Sequence, residues 1–407
     1  MTAHFGTFDA ERWWRPADLA TLPAAPGGDA ADGMDELLAA GCSPGDLLLT
    51  RRAPAPEIRA SLADCGIEFE HRLVPAPPGT PIERAVDAET LAGWPEMAPY
   101  AVLPDTVALA ARLGRADRLP AAETVAAVNS KTWSHALARS LGLPGAGVVV
   151  RSAAELAEAV GTRPSVVKDP YGVSGRATLE VATPGVLRAV TRTLAAQNAR
   201  VELLVQPRFD RCTDFSAHLR IDADGRWETL GVQVMHNRGF RHAGSEPAPD
   251  GLLAELAEAG YDETLAAVAE ALAAAGYWGP AGVDAMVLAD GTLVPVLEIN
   301  ARQSLGLLSL LLDRRVRPHG LRCHLWRFDL KVPPGKGISD LFAALHRLRY
   351  RGRSVPGVTL AGGSGLAAPG GRIYCALMAR PGESAALRAD LLDAIEAAGM
   401  TARGETR

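Results

Sequence analysis

Two stretches of the chain place carboxylates and an amide where they could hold a hard cation. They are Gly282-Val283-Asp284-Ala285-Met286-Val287 and Val296-Leu297-Glu298-Ile299-Asn300, separated by an Asp290-Gly291 turn. Asp-Gly between apolar runs predicts a β-hairpin. Side chains alternate along a strand, so Asp284 and Met286 share one face, and Glu298 and Asn300 share one face of the partner strand. Two acids and an amide then converge from adjacent antiparallel strands. Hard oxygen ligands, few in number, suit Mg²⁺ held jointly with substrate phosphates. A solvated surface hairpin would use the same residue types. The apolar neighbours predict a mostly buried sheet instead, in which an unpartnered carboxylate is expensive.

Cations follow from an oddity of composition. Of 42 basic residues only four are Lys: Lys131, Lys168, Lys331 and Lys336. Where Arg serves for generic positive charge, a Lys suggests a need for a compact ammonium, which suits phosphate oxygens. Codon bias would leave a few lysines too. In Val166-Val167-Lys168-Asp169-Pro170-Tyr171-Gly172-Val173-Ser174-Gly175-Arg176 a strand delivers a Lys into a glycine-bearing loop. Gly172, Ser174 and Gly175 would let backbone N–H groups approach phosphate oxygens. No GxxxxGK[ST] loop occurs. Asn129-Ser130-Lys131 opens a helix upstream of Lys168. Leu204-Val205-Gln206-Pro207-Arg208-Phe209, with Asp214 after it, reads as a strand leaving one subdomain for another. Its backbone could pair with an adenine edge, and the acid could accept from ribose hydroxyls. Each of the last three patterns is weak alone.

In this order and spacing the four motifs resemble the ATP-grasp superfamily, over roughly residues 125 to 312. The resemblance implies ATP between two α+β subdomains. Lys131 and Lys168 would touch its phosphates, with the Gly172–Gly175 loop as a lid. Gln206 and Phe209 would lie at the adenine hinge and Asp214 at the ribose. Asp284, Glu298 and Asn300 would hold Mg²⁺ or Mn²⁺, and Arg302 the substrate's carboxylate or acyl phosphate. Members often carry Glu at the hinge, where this chain has Gln206. Some amino-acid ligases of this fold carry an Arg two residues before the first metal Asp, where this chain has Gly282. Oxyanion stabilisation would then fall to Arg238 or Arg241 in the His236–Gly244 segment, or to Arg220. That segment also reads as a solvated basic loop.

The elements that must position these residues read as follows. The stretch 1 to about 40 is rich in Ala, Gly, Pro and Asp and predicts irregular chain with one short helix. DLLLT, PEIRASLADCG and IEFEHRLV then form a βαβ unit of a small doubly wound sheet. TVAAVNSKTWSHALARSLG reads as helical, ending at Gly142. The fold class is thus α/β and α+β: a Rossmann-like N-terminal domain (1–124), a central lid subdomain (125–206), a C-terminal subdomain with the metal site (207–332) and an α/β extension (333–407). Gly363-Ser-Gly365-Leu-Ala-Ala368 fits a loose dinucleotide fingerprint, but a second strand follows it, not a helix, so it reads as a hairpin loop. His319 and His324 near Cys323 lack further ligands at metal spacing.

Composition narrows the function. The chain has 407 residues, 48% hydrophobic and 22% charged, with a net charge of −5. That is globular composition, and a mildly acidic balance argues against a general nucleic-acid binder. Five scattered cysteines with no CxxC argue against a disulfide framework and fit a reducing compartment. No apolar segment suits a signal peptide or a bilayer span, so a soluble cytoplasmic protein is expected. The expected activity is an ATP-dependent carboxylate–amine ligase working through an acyl phosphate and releasing ADP and phosphate. The substrate would be an amino acid or short peptide, as in stand-alone ligases, including those of natural-product pathways. The partners would be small-molecule acid and amine substrates, with neither nucleic acid nor membrane, and with a homodimer left open. The rivals are an ATP-grasp kinase and a non-catalytic nucleotide-binding regulator.

Overall fold

The computed structural model describes residues 1–23, 33–77, 79–172 and 177–405. Ser174 and Gly175, expected in the phosphate loop, lie outside the described residues. Among those described, the strands form three sheets.

The first sheet holds β1 (Thr2–Phe5), β2 (Leu47–Thr50), β3 (Glu70–Leu73) and β4 (Glu96–Pro99). They run parallel in the order β3-β2-β1-β4. Interior strands of a parallel sheet are covered on both faces. Accordingly β1 is buried at Ala3, His4 and Phe5, and every residue of β2 is buried. The opening residues are therefore not wholly irregular: β1 is an inner strand. Four residues without alternation gave no sequence signal for it.

The second sheet is antiparallel, in the order β5-β8-β6-β7, from β5 (Val148–Val150), β6 (Ser165–Lys168), β7 (Thr178–Val181) and β8 (Leu203–Pro207). Helices Ala153–Val160 and Pro184–Ala196 close its core through Leu156, Val160, Val190 and Leu194.

The third sheet is large and antiparallel. It takes β9 (Arg211–Ile221), β10 (Trp227–Arg238), β11 (Arg241–Pro247), β12 (Gly279–Leu288), β13 (Leu293–Asn300), β14 (Arg322–Lys331), β15 (Gly357–Gly362), β16 (Gly370–Ala379) and β17 (Thr401–Ala402). The order is β13-β12-β9-β10-β11-β14-β16-β15, with β17 on β14. The basic segment 236–244 is largely sheet: β11 pairs with β10 from Arg238–Arg241 to Gln233–Pro247. The strands after residue 333 extend this same sheet, and β16 pairs with β14 from Arg322–Ala379 to Lys331–Gly370. One core joins the N-terminal domain to this sheet, with Leu37, Leu38 and Ile58 in the same cluster as Leu308, Leu312 and Leu377.

The helical stretch from Thr124 onward is two helices, Ala122–Val128 and Lys131–Ser140, the second opening where Asn129-Ser130-Lys131 suggested. Ser130 breaks it by capping the second, its hydroxyl accepting from the Thr132 N–H at 3.3 Å. No helix among the described residues is long and apolar enough to cross a membrane.

Leu377 is fully buried and pairs with both His324 and Val358. Leu377→Ala is expected to cost about 2–5 kcal/mol in urea unfolding. A wild-type midpoint would show that the C-terminal strands are peripheral to the fold.

Candidate functional site

Strand register delivers the two acids to each other. Asp284 lies directly opposite Glu298 across the β12–β13 pair, and Gly282 opposite Asn300. A register shift between Asp284 and Met286 follows the acid, and bulges re-aim side chains beside active sites. On the far side of β12, Asp284 faces Ser216 of β9, which hydrogen-bonds it. Asn300 donates to Asp284 Oδ2 at 3.0 Å.

The Lys131–Ser140 helix is docked along β13. Asn129 grips the chain just after Asn300: its Oδ1 accepts from Ala301 N–H at 2.9 Å and its Nδ2 donates to Ala301 O at 3.2 Å. Ser134 Oγ accepts from Ile299 N–H at 3.0 Å. These bonds place Lys131 Nζ 2.8 Å from Glu298 Oε1. The same ammonium donates to Gly172 O at 2.8 Å. Lys168, at the end of β6, senses the charges of Glu298, Lys131, Asp284 and Asp214.

Burial and charge work against each other here. Burial and the facing Glu298 push Asp284 up from its ordinary value. Burial would raise Glu298 as well, but Lys131, Lys168 and Arg302 hold it below its ordinary value. Burial lowers Lys168, against the pull of Glu298. The donor set of two half-buried carboxylates and an amide fits a hard divalent cation. Lys131 and Lys168 flank it, where phosphates would share the metal.

All of this opens into one cavity of about 1500 Å³. Of the residues expected from sequence, Lys131, Lys168, Gly172, Gln206, Phe209, Asp214, Arg241, Asp284, Glu298, Asn300 and Arg302 line it. Gln206 donates to Gly145 O at 2.9 Å. Asp214 is held by Arg211 at 3.0 Å and Asn237 at 2.8 Å. Arg238 is not part of the lining: it donates to Arg403 O at 3.0 Å and pairs with Glu405. The tail thus claims it, and Arg241 is left as the cationic group of that segment. Arg220 does not line the cavity either.

Arg302 departs from expectation in another way. Its Nε donates to Glu11 at 3.0 Å, and Nη2 to Asn300 Oδ1 at 3.0 Å and to Glu11. Nη1 donates to Tyr100 Oη at 3.1 Å and Gln303 O at 2.9 Å. A guanidinium has five N–H donors, and all five are committed. Arg302 therefore orients Asn300 and ties the N-terminal domain to the β12–β13 hairpin. No donor is left over for a substrate carboxylate.

Sequence reading missed Glu11, Tyr100, Ser216 and His218. Ser216 and His218 follow Asp214 at period two on β9, so alternation could have found them. His218 is 2% exposed, lines the cavity, and is pushed down to about 3 by burial, so it is a neutral imidazole. A Cβ on Gly306 would sit 2.5 Å from its Nε2, so that position must be glycine for the Leu305–Val316 helix to approach. Glu11 and Tyr100 gave no sequence signal.

No protein-family profile matches the chain, and no curated protein sequence matches it. Solved structures do. An N5-carboxyaminoimidazole synthetase from Staphylococcus aureus complexed with ADP superposes with a TM-score of 0.58 at 10% identity, covering 98% of each chain. A carboxyaminoimidazole ribonucleotide synthase from Aspergillus clavatus complexed with ATP gives 0.56 at 14% identity, over 94% of this chain and 99% of that one. An L-amino acid ligase from Bacillus licheniformis gives 0.51 at 13% identity, over 100% and 98%. The chain has the ATP-grasp fold over its whole length.

Because the Asp284 carboxyl is raised, its ionised form destabilises the metal-free fold. The stability its protonation contributes is present at low pH and lost as pH rises through the raised value. Asp284→Asn is thus expected to hold or raise the metal-free Tm at pH 8, and to abolish any Tm rise on adding Mg²⁺ with ATP. In the wild type that Mg²⁺-dependent rise should shrink as pH falls, since protons compete for the carboxylate. A pH-independent rise would remove Asp284 from the metal site.

Proposed function

We propose that this ATP-grasp chain is an ATP-dependent carboxylate–amine ligase. The observation that carries the reading is the opposed Asp284–Glu298 pair, facing Lys131 and Lys168 in one large cavity. ATP alone could be held with fewer acids, so two metal ligands backed by an oriented Asn300 favour turnover over regulation. Asp284, Glu298 and Asn300 would hold Mg²⁺, which supplies charge neutralisation at the transferring phosphoryl group. Lys131 and Lys168 add positive charge where negative charge develops. For phosphates to enter, Lys131 must exchange Glu298 and Gly172 O for phosphate oxygens. That exchange couples nucleotide binding to the start of the lid loop.

Gln206 and Phe209 line the cavity and would take the adenine, with Asp214 at the ribose. A carboxylate oxygen of the acid attacks the γ-phosphorus, and ADP leaves. The amine then attacks the acyl phosphate and releases phosphate. Exclusion of water protects that intermediate. Arg241, free of any protein partner among the described residues, is the cation available to the oxyanion. The substrates we propose are an amino acid or short peptide and an amine.

Heavy oxygen in the substrate carboxylate should appear in inorganic phosphate, with ADP as the nucleotide product. Label in AMP would mean adenylation. A phosphorylated product without free phosphate would mean a kinase, and no substrate-dependent turnover a regulator. In the same assay Lys168→Arg should lower kcat/KM by about 10²-fold or more, because a planar fork replaces a point charge. Lys336→Arg, on an exposed residue paired with Asp340 at 2.8 Å, should leave it unchanged.

A further inference from the structure

Two arginines of the same cavity sit in opposite circumstances. Arg302 has a partner for every donor. Arg327, on β14, has almost none. Its side chain is 13% exposed and lines the cavity. Its Nε is buried with no hydrogen-bond partner. The acid nearest it, Asp329, stands 3.5 Å away, is 41% exposed, and already accepts from Arg372 at 2.8 Å. Two guanidiniums share one carboxylate, so 2 − 1 leaves one positive charge uncompensated in a half-buried pocket. Burial, and Arg372 close by, lower the Arg327 pKa from its ordinary value. A buried charge without a partner is strongly unfavourable. Such a group is retained where a ligand supplies the missing charge.

The surroundings match a ligand rather than a structural pair. Arg372 and Tyr374 of β16 also line the cavity, with Arg241 of β11 and Arg52 from the N-terminal domain. Gly365 packs directly against the Arg52 guanidinium, where a Cβ would meet its Nη1. These cations come from β11, β14, β16 and the N-terminal domain, whereas the metal pair sits on β12 and β13. Three strands, β9, β10 and β11, lie between β12 and β14.

We propose that Arg327 and Arg372 bind an anionic group, a carboxylate or a phosphate, carried by one substrate in addition to the carboxylate that is activated. Planar guanidiniums on neighbouring strands match oxyanions bidentately. The proposal rests on the ligase reading for what the anion belongs to, but the site itself is testable without turnover. It selects substrates with a charged end remote from the reacting carboxylate.

The test uses the full chain with its nucleotide site filled by Mg²⁺ and a non-hydrolysable ATP analogue. Inorganic phosphate and succinate are then titrated separately by calorimetry. At least one is expected to bind. Arg327→Gln and Arg372→Gln should each weaken that binding by about tenfold or more while leaving the affinity for the analogue unchanged. Phosphate alone binding would identify a phosphate-bearing substrate, and succinate alone a carboxylate-bearing one. Asp329→Asn removes the competing anion, so it should bind the probe at least as tightly as the wild type. The proposal is overturned if neither probe binds, if the Arg variants bind like the wild type, or if Asp329→Asn loses binding. Failure of the analogue to bind would instead count against the ligase reading, and the loss on Arg327→Gln would still report on the anion site.

Discussion

The cavity is organised by one electrostatic conflict. Asp284 and Glu298 face each other across adjacent strands in a buried setting, where two carboxylates repel and neither is well solvated. Such a pair persists only if cations are delivered to it. Lys131, Lys168 and Arg302 are delivered by three different elements, and each of those elements must be held in place. Glu298 is stabilised as a carboxylate, while Asp284 is pushed toward its neutral form. The unequal outcome follows from position: the Lys131 ammonium touches Glu298 and not Asp284.

Much of the surrounding fold serves that requirement. Asn129 and Ser134 fasten the Lys131 helix to β13, so the lysine and its carboxylate move as one piece. Arg302 needs its own counter-charge, and Glu11 of the N-terminal domain provides it. The charge constraint at this cavity thus reaches back 291 residues and fixes the domain that carries the parallel sheet. Tyr100 adds to the same linkage, since the carbon of the Arg302 guanidinium lies 5.4 Å from its ring centroid.

The contrast between Arg302 and Arg327 shows how satisfaction of donors separates roles within one cavity. A guanidinium whose five donors all find protein acceptors is a brace. One with a lone distant carboxylate is a receptor for something the chain does not itself supply. Residue type is the same in both cases, and only the surrounding acceptors differ. A small residue carries part of this design: at Gly306 a Cβ would sit 2.5 Å from the His218 imidazole.

The sequence alone determined the hairpin, its Asp-Gly turn, the convergence of Asp284, Glu298 and Asn300, and the singling out of Lys131 and Lys168. Those signals are local: strand alternation, turn chemistry and the scarcity of lysine are each read within a few residues. It also determined the ATP-grasp fold, because the resemblance rests on the order and spacing of four short motifs, each legible in the chain itself. Tertiary structure decided what depends on distant partners. That β1 is an inner strand follows from β2 and β4 on either side of it, not from its four residues. That Arg238 belongs to the tail and Arg302 to Glu11 follows from acceptors far away in sequence. That Arg327 must share one carboxylate with Arg372 is a property of the assembled sheet, since β11, β14 and β16 become neighbours only when long connections close. Hydrogen bonding and charge compensation are short-ranged in space and indifferent to chain separation, which is why they are not legible until the chain has folded.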